Sequence, residues 1–310
     1  MARKLTWKDL AALTRYQNQK MVLDNSLQFV HNPGLISSSL LSIISPSSGF
    51  YTTIERIDSH QFPFLLGQIC CDRNDHSARI AYLAPSDMDA HPAFDKVVSN
   101  LVSTAGEKGA VQILAEVTEN SPAEEIMYQA GFRQYAEQQI WKVPRRIVFG
   151  SGKKTWIPLS NGDVDAVISF YQRILPVQIL RVEPPPTPAG MQGMICWKEG
   201  KIVGFAAIQF GPKGILVDIL LAPELDQIDD YISALVFHLP YRDNRDIYFR
   251  VRSYQQGVKS ALERLNAEPG ARQKAVVKRL AVHYNAKQTF RMQSFEKQPD
   301  ITTPISNTKN

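Results

Sequence analysis

Two carboxylates of this 310-residue chain stand inside apolar, strand-like runs of sequence. Glu116 lies within the run from Val111 to Val117, and Asp218 lies within the run from Gly214 to Leu221. A carboxylate in such surroundings can serve as the general base of an enzyme. A lone charge in a strand is more commonly exposed at an edge or paired with an opposite charge. The sequence leaves both interpretations open for each residue.

The serines, histidines and cysteines of the chain form no pattern that indicates another kind of catalysis. The chain has no serine, histidine and acid motif and no set of zinc ligands. Its cysteines are Cys70, Cys71 and Cys196, and the adjacent pair falls in a predicted strand, where neighbouring side chains point to opposite faces. This spacing indicates neither a disulfide framework nor a metal site. We therefore expect no metal cofactor.

Composition places the chain among soluble globular proteins. Hydrophobic residues make up 44% and charged residues 21%, and the length suggests two domains of about 150 residues each. The apolar runs are too short to span a bilayer, and the start of the chain turns polar before a signal peptide could form. We expect a cytoplasmic protein without a membrane partner.

The net charge of +5 is spread diffusely along the chain. Such charge is most simply explained as solvated surface, because a nucleic-acid site would combine basic residues with an aromatic platform. The pattern therefore argues against a nucleic-acid partner, and the oligomeric state is left open.

The stretch from Val111 to Phe132 predicts a strand followed by a capped helix. Ser121 is a good N-cap residue, and Pro122 suits the first helical turn, where its missing N–H costs nothing. Gly131 suits the position just after the helix, where the chain turns left-handed. These residues predict a buried strand, a short amphipathic helix and an abrupt stop.

The remaining pattern predicts two halves with the same order of elements. Proline, glycines and basic residues between Val143 and Trp156 indicate a linker. Helices are predicted in the first half at Trp7–Tyr16 and Pro92–Glu107, with a less regular element at Leu35–Ile44, and strands at Gly49–Ile57, Phe64–Cys71, Ser77–Leu83 and Ala136–Val143. Helices are predicted in the second half from Asp163 to Leu175, at Leu225–Leu239 and at Gln256–Leu265, and strands at Gly193–Lys198, Ile202–Phe210, Gly214–Leu221, Asp246–Arg252 and Ala275–His283. A hairpin turn is expected at Glu199 and Gly200.

One motif resembles a known enzyme family. Asn120, Ala123, Ile126, Tyr128, Gly131 and Phe132 follow the order found in the fourth helix of GCN5-related N-acetyltransferases. The resemblance implies an α/β (α+β) fold of two tandem acetyltransferase-like domains, each a mixed central sheet flanked by helices. The implied domains are 1–146 and 156–296, with a linker at 147–155 and a disordered tail at 297–310. Such a tandem arrangement also resembles mycothiol synthase.

The resemblance further implies acetyl transfer from acetyl-CoA to a primary amine, either of a small molecule or of a peptide. In the family, a strand before this helix diverges from its neighbour and admits the pantetheine arm of the coenzyme. This implies coenzyme binding by Tyr82, Leu83 and Ala84 together with Asn120. Tyr128 is implied as the general acid and Glu116 as the general base.

The sequence departs from the family at two places, and these departures favour an alternative function. Both loops expected to hold the coenzyme pyrophosphate, Ala84–Phe94 and Ala222–Tyr231, lack glycine; the first contains two carboxylates and the second four. Met127 stands at the position where the family usually has its tyrosine. Tyr128 is the next residue, and one step along a helix turns the direction of a side chain by about 100°. Tyr128 is therefore about as well explained as a packing residue. The alternative is a noncatalytic tandem protein that binds a ligand or another protein.

Overall fold

The structure is a computed structural model that describes residues 2–6, 9, 14, 16–31, 48–71, 76–88, 90–144, 155–185, 192–240 and 245–280. These residues belong to one compact unit, Met1–Leu280. The predicted element at 35–44 and the tail at 297–310 lie outside the described residues, as do most of the predicted helix at 7–16 and most of the linker at 147–155.

Strands dominate the described part of the chain. They are β1 (Arg3–Lys4), β2 (Met21–Val22), β3 (Phe50–Arg56), β4 (Phe64–Cys71), β5 (Ser77–Ala84), β6 (Gln112–Thr118), β7 (Arg133–Val143), β8 (Trp156–Pro158), β9 (Gly193–Lys198), β10 (Lys201–Phe210), β11 (Gly214–Leu221), β12 (Asp246–Arg252) and β13 (Glu268–Arg279). The predicted hairpin turn between β9 and β10 is confirmed, because Glu199 and Gly200 both have positive φ.

Helices connect the strands. They are α1 (Phe94–Glu107), α2 (Pro122–Gln129), α3 (Val164–Ile174), α4 (Val177–Leu180), α5 (Ile228–His238) and α6 (Gln256–Arg264). A π-helical turn spans Leu27–His31, and a 3-10 turn spans Asn161–Asp163. The sequence signals around α2 are confirmed: Ser121 Oγ accepts a hydrogen bond from Glu124 N at 3.3 Å, and Gly131 has a φ of 85°.

Within the described residues, all strands join one mixed sheet. The order along it is β1-β3-β4-β5-β6-β13-β7-β12-β11-β10-β9-β8, and β2 pairs with β5 off this path. The two halves exchange strands at the centre, since β13 of the second half lies between β6 and β7 of the first. In the same way, β7 lies between β12 and β13. The predicted tandem order of elements and the fold class are confirmed, but the two sheets are continuous. The domain division at 147–155 remains a prediction.

The pairing register decides which side chains share a face at the centre of this sheet. Gln138 of β7 lies opposite both Gln273 of β13 and Arg252 of β12. By the alternation of side chains along a strand, Arg250 lies on the same face, which we call the polar face. Register also places Glu116 and Asp218 there, opposite Ala275 and Arg250 respectively. Five strands therefore contribute to one polar surface.

The largest apolar cluster lies mainly in the second half and includes Trp156, Phe205 and Phe249, each at most 1% exposed. A second cluster in the first half joins α1 and α2 to the sheet through Phe94, Met127 and other buried residues. These cores pack against the strands on either side of the polar surface.

Candidate functional site

The first half contains a gap between two parallel strands. β5 and β6 pair only from Ser77 and Gln112 to Arg79 and Leu114, and then diverge. The chain itself fills the opening. Leu23 N donates to Ala81 O on one side at 3.0 Å, and Leu23 O accepts from Glu116 N on the other at 2.9 Å.

The filling segment is firmly held in the first-half gap. Met21 and Val22 of β2 pair with Leu83 and Tyr82 of β5, and the Leu23 side chain is only 2% exposed. Asn25 N donates to Glu116 Oε2 at 2.7 Å. Backbone and apolar side chain together close this gap.

The second half contains the equivalent gap, between β11 and β12. The two strands pair from Gly214 and Asp246 to Asp218 and Arg250, and then diverge. Here a single side chain crosses the opening. Gln255 Nε2 donates to Ile219 O at 2.5 Å, and Gln255 Oε1 accepts from Arg252 N at 2.8 Å. A side-chain amide thus satisfies both strands where the first half uses main chain.

The helices beside the second gap approach each other closely. A Cβ at Gly257 of α6 would lie 2.6 Å from Ile228 Cδ1 of α5. The two helices are also joined by an ion pair between Arg264 Nε and Asp229 Oδ2 at 2.9 Å. A ligand entering between α5 and α6 would have to displace this contact.

A cavity of about 300 Å³ opens on the polar face beside the second gap. Its wall combines charged residues of both halves with two tyrosines of the second half. The main polar lining residues are Asp24, Arg79, Tyr171, Glu183, Asp218, Arg250, Arg252 and Tyr254. Such a mixture of carboxylates, guanidiniums and aromatic rings is typical of a site for a small polar ligand.

Glu116 is buried in a hydrogen-bonded network rather than facing the cavity directly. Gln138 Nε2 donates to Glu116 Oε1 at 2.9 Å, and Arg250 Nη1 lies 3.5 Å from the same oxygen. Burial raises the pKa of this carboxyl, but Arg250 and Arg79 outweigh burial and hold the pKa below its usual range. A carboxylate with a lowered pKa is a poor proton acceptor, and Glu116 is best explained as a counter-charge.

Glu183 forms the best-defined ion pair of the cavity wall. Arg252 Nη2 donates to both of its carboxylate oxygens, at 2.7 and 2.9 Å, and the Tyr135 hydroxyl donates to it as well. Burial raises the pKa of Glu183, but Arg252 and Arg79 lower it more, to about 2. Glu183 is therefore ionised throughout the neutral range.

Asp218 and Asp24 behave in the opposite way. Burial raises the pKa of each, and the nearby arginines compensate only in part. Asp218 Oδ1 lies 3.3 Å from Arg250 Nε, and its side chain is 31% exposed. Arg250 also lies 3.5 Å from Glu116 Oε1, so its positive charge is shared between the two carboxylates. Asp218 is thus an under-compensated carboxylate in contact with the cavity.

The site residues predicted from the sequence fall in three separate places. Asn120 and Tyr128 line a shallow surface depression, where the Tyr128 hydroxyl lies 3.4 Å from Gln134 Oε1. Glu116 lies in the buried polar network. Tyr82, Leu83 and Ala84 are buried in β5, and the first two pair with β2. The structure brings Asn120 and Tyr128 together, but it does not bring them to Glu116 or to Tyr82.

Sequence reasoning named Asp218 but missed its partners. The sequence pattern could have identified Arg250 and Arg252, because two arginines at alternate positions of an apolar strand must share one face. No sequence pattern indicated Asp24, Glu183 or Gln255, since each lies in an irregular segment whose partners are distant in sequence.

The sequence matches no protein-family model and no curated protein. Solved structures do resemble it. A GCN5-related N-acetyltransferase from Sphaerobacter thermophilus is 14% identical, with a TM-score of 0.50, covering 90% of this chain and 95% of that one. A candidate acetyltransferase from Pyrococcus horikoshii is 12% identical, with a TM-score of 0.51, covering 91% and 90%. The chain has the GCN5-related N-acetyltransferase fold. At these identities the likeness defines the fold and leaves the activity open.

The first gap is the position at which the sequence resemblance leads us to expect a pantetheine arm, and the second gap is its counterpart in the second half. One is closed by main chain and the other by Gln255. Among the described residues, no cluster of histidine, cysteine or carboxylate side chains could hold a metal ion, and no helix is both long and apolar enough to cross a membrane.

Proposed function

We propose that this protein binds a small organic cation, a primary amine, in the cavity on the polar face. The observation that carries this proposal is a charge imbalance. Among the described residues that line or adjoin the cavity, the carboxylates are Asp24, Glu116, Glu183 and Asp218, and the guanidiniums are Arg79, Arg250 and Arg252. With all four carboxylates ionised, one negative charge is left over in a largely buried cluster, and a bound cation would neutralise it.

Asp218 is the residue proposed to pair with the ammonium group. It is the accessible carboxylate with the weakest compensation, and Tyr171 and Tyr254 line the same cavity. Burial raises the pKa of both tyrosines; Asp218 and Glu183 raise the pKa of Tyr171 further, whereas Arg252 opposes the two carboxylates at Tyr254. A carboxylate beside aromatic rings suits an ammonium group, through a charge-assisted hydrogen bond and cation–π contact.

Calorimetric titration with putrescine, spermidine and lysine tests this proposal. We expect Asp218→Asn to weaken the tightest amine by roughly 10- to 150-fold, the loss of one hydrogen bond to a charged group. Asp58→Asn, at an exposed carboxylate, is the matched control and should bind as the natural protein does. The proposal fails if no amine binds, or if both variants bind equally well.

Acetyl transfer from acetyl-CoA to that amine is the second candidate. It is favoured by the position of Asp218, at the last paired residue before the second gap, where it could accept a proton from the amine. The coenzyme would have to displace the Gln255 side chain. The set predicted from the first half, with Tyr128 as acid, Glu116 as base and Tyr82 to Ala84 with Asn120 as coenzyme ligands, is the weaker proposal because Leu23 occupies that gap.

Thiol release from acetyl-CoA in the presence of each amine, followed with a chromogenic thiol reagent, tests the second candidate. Thermal stabilisation by acetyl-CoA is the parallel measurement of binding. Release that disappears in Asp218→Asn but persists in Asp58→Asn supports transfer in the second half. Amine binding without either signal leaves the protein a noncatalytic amine-binding member of this fold.

A further inference from the structure

The cavity on the polar face also has an accessible charge at its first-half end. Arg79 is the last residue of β5 that pairs with β6 before the first gap, and Asp218 is the last residue of β11 that pairs with β12 before the second. Both side chains line the cavity. The two halves therefore place a cation and an anion at equivalent positions of the fold, in one cavity.

Among the described residues, Arg79 is the guanidinium of this cavity without a hydrogen bond or an ion pair. Arg250 contacts Asp218, and Arg252 contacts Glu183. Arg79 is half-buried, and none of its nitrogens is among the sealed, unpaired polar atoms of the structure, which include Nη1 of Arg252. The Arg79 guanidinium is therefore open to the cavity and available to an anionic group.

Asp24 supplies a carboxylate at the same end of the cavity. Its Oδ1 accepts from Ser26 N at 2.8 Å and from Leu27 N at 3.3 Å, so the main chain fixes its position. The side chain is buried, but its Oδ2 makes no hydrogen bond among the described residues and is not sealed by protein atoms. Burial lowers the pKa of Arg79, and Asp24 is the carboxylate that raises it most, which indicates that the two groups are neighbours. An open carboxylate oxygen next to an open guanidinium suits the ammonium and carboxylate of an α-amino acid.

The two carboxylates that could receive an ammonium group belong to different ends of the cavity. Burial raises the pKa of both, and the cation that opposes this most is Arg79 at Asp24 but Arg250 at Asp218. A ligand that reaches both ends must therefore carry two ammonium groups joined by a chain. With a carboxylate for Arg79, its net charge is a single positive charge, which matches the one negative charge left over in the cluster.

We propose that the ligand of this cavity is a basic α-amino acid of the lysine or ornithine type. Its α-carboxylate would pair with Arg79, its α-ammonium with Asp24, and its side-chain ammonium with Asp218. This inference rests on the proposed function, because Asp218 binds an ammonium group in both. It goes further in assigning Arg79 and Asp24 as the residues that distinguish an amino acid from a simple diamine.

Calorimetric titration of the natural protein with lysine and three analogues tests the inference, because each analogue lacks one group. Cadaverine lacks the carboxylate, ε-aminocaproate lacks the α-ammonium, and norleucine lacks the side-chain ammonium. We expect lysine to bind most tightly and each analogue to bind about tenfold or more weakly. Cadaverine binding as tightly as lysine would overturn the inference and leave the amine site standing. Norleucine binding as tightly as lysine would remove the role of Asp218 from both proposals, and binding by no amine would overturn both.

Variants at the first-half end assign each group of the ligand to a residue. Arg79→Gln should weaken lysine and ε-aminocaproate about tenfold or more, but it should not weaken cadaverine, which has no carboxylate. Asp24→Asn should weaken lysine and leave ε-aminocaproate unchanged. Arg56→Gln, at an exposed residue that ends β3, is the control and should bind every probe as the natural protein does.

The pattern across the probes separates a binding role of Arg79 from a structural one. A merely structural role would weaken cadaverine and lysine alike in Arg79→Gln, and that result would overturn the inference. Arg79→Lys keeps the charge but loses the planar, two-pronged geometry of the guanidinium. It should show the same selectivity with a smaller effect, and circular dichroism verifies that each variant is folded.

Discussion

The two strand gaps of this molecule are the same feature of the fold closed in two different ways. In the first half, the gap holds Leu23 and is sealed on both sides by main-chain hydrogen bonds. In the second half, it is crossed by the side chain of Gln255. Main chain can leave only if a whole segment refolds, whereas a side chain leaves by changing rotamer. The first gap is therefore a structural contact that holds β5 and β6 together, and the second is where a ligand could enter.

The surroundings of the gaps reinforce this contrast. The first gap is filled by an apolar side chain, and the adjoining Glu116 is fully engaged by Asn25, Gln138 and Arg250. The second gap opens beside Asp218, a carboxylate with incomplete compensation. A strand exchange at the centre of the sheet brings both halves to one polar face, so the first half supports a site that belongs mainly to the second.

The largest effect is expected from opening the first gap. Leu23→Ala removes a buried side chain between β5 and β6 and should lower the free energy of unfolding by about 2–5 kcal/mol, through lost burial and a residual cavity. Chemical denaturation measures this change. Val177→Ala, at a residue 65% exposed, is the control and should change stability by roughly 0.5 kcal/mol or less. A loss of unfolding free energy no larger than that of Val177→Ala would show that Leu23 does not hold β5 and β6 together.

A loss of about 3.5 kcal/mol is expected from Glu183→Gln. The native pKa of Glu183 is about 2, roughly 2.5 units below that of an ordinary glutamate, and each unit is worth about 1.4 kcal/mol. Because the folded pKa is lowered, this stability is present above about pH 4.5 and is lost as the pH falls toward 2. Thermal melts of both proteins between pH 7 and pH 2 should therefore converge in acid. Glu107→Gln, at an exposed residue of α1, should show no such convergence.

A smaller effect is expected from emptying the second gap. Gln255→Ala leaves Ile219 C=O and Arg252 N–H without their partner and should cost about 1–3 kcal/mol. If the gap can accept a pantetheine arm, the same change should increase stabilisation by acetyl-CoA in a thermal-shift experiment. Gln129→Ala, on the exposed side of α2, serves as control. An unchanged response to acetyl-CoA would mean that Gln255 does not limit entry.

The contrast between the gaps also marks how far the sequence could be interpreted. Local signals, such as Ser121 before Pro122 and Gly131 after the helix, placed α2 and the strand before it correctly. The positions of most other elements followed from apolar periodicity in the same way. β13 begins at Glu268, seven residues earlier than predicted, because its first residues pair with β7 and carry no apolar pattern of their own.

Neither gap closure could be predicted, because each depends on partners that are remote in sequence. β2 has two residues, too few for any periodicity, and it pairs with β5 some sixty residues later. Gln255 is a polar residue in a loop, and only the divergence of β11 and β12 gives its amide two backbone partners. The strand exchange likewise has no local signal. The sequences of β7 and β13 would have the same pattern whether each strand paired within its own half or with the other half.

The smallest expected effect carries the sharpest test of the second gap as a site. The folded pKa of Asp218 is raised by burial, so its ionised form costs stability above its unfolded pKa, about 3.9, and no longer does so in more acid solution. Asp218→Asn should therefore raise the melting temperature at pH 7, and this gain should shrink as the pH falls through the raised folded pKa and be gone below about pH 4. The same change should reduce stabilisation by an amine at a fixed amine concentration, because binding is weaker. A residue that serves binding would thus be distinguished from one that serves stability. A lower melting temperature at pH 7 would instead show that the ion pair with Arg250 outweighs burial, and Asp218 would then be a structural residue like Glu116.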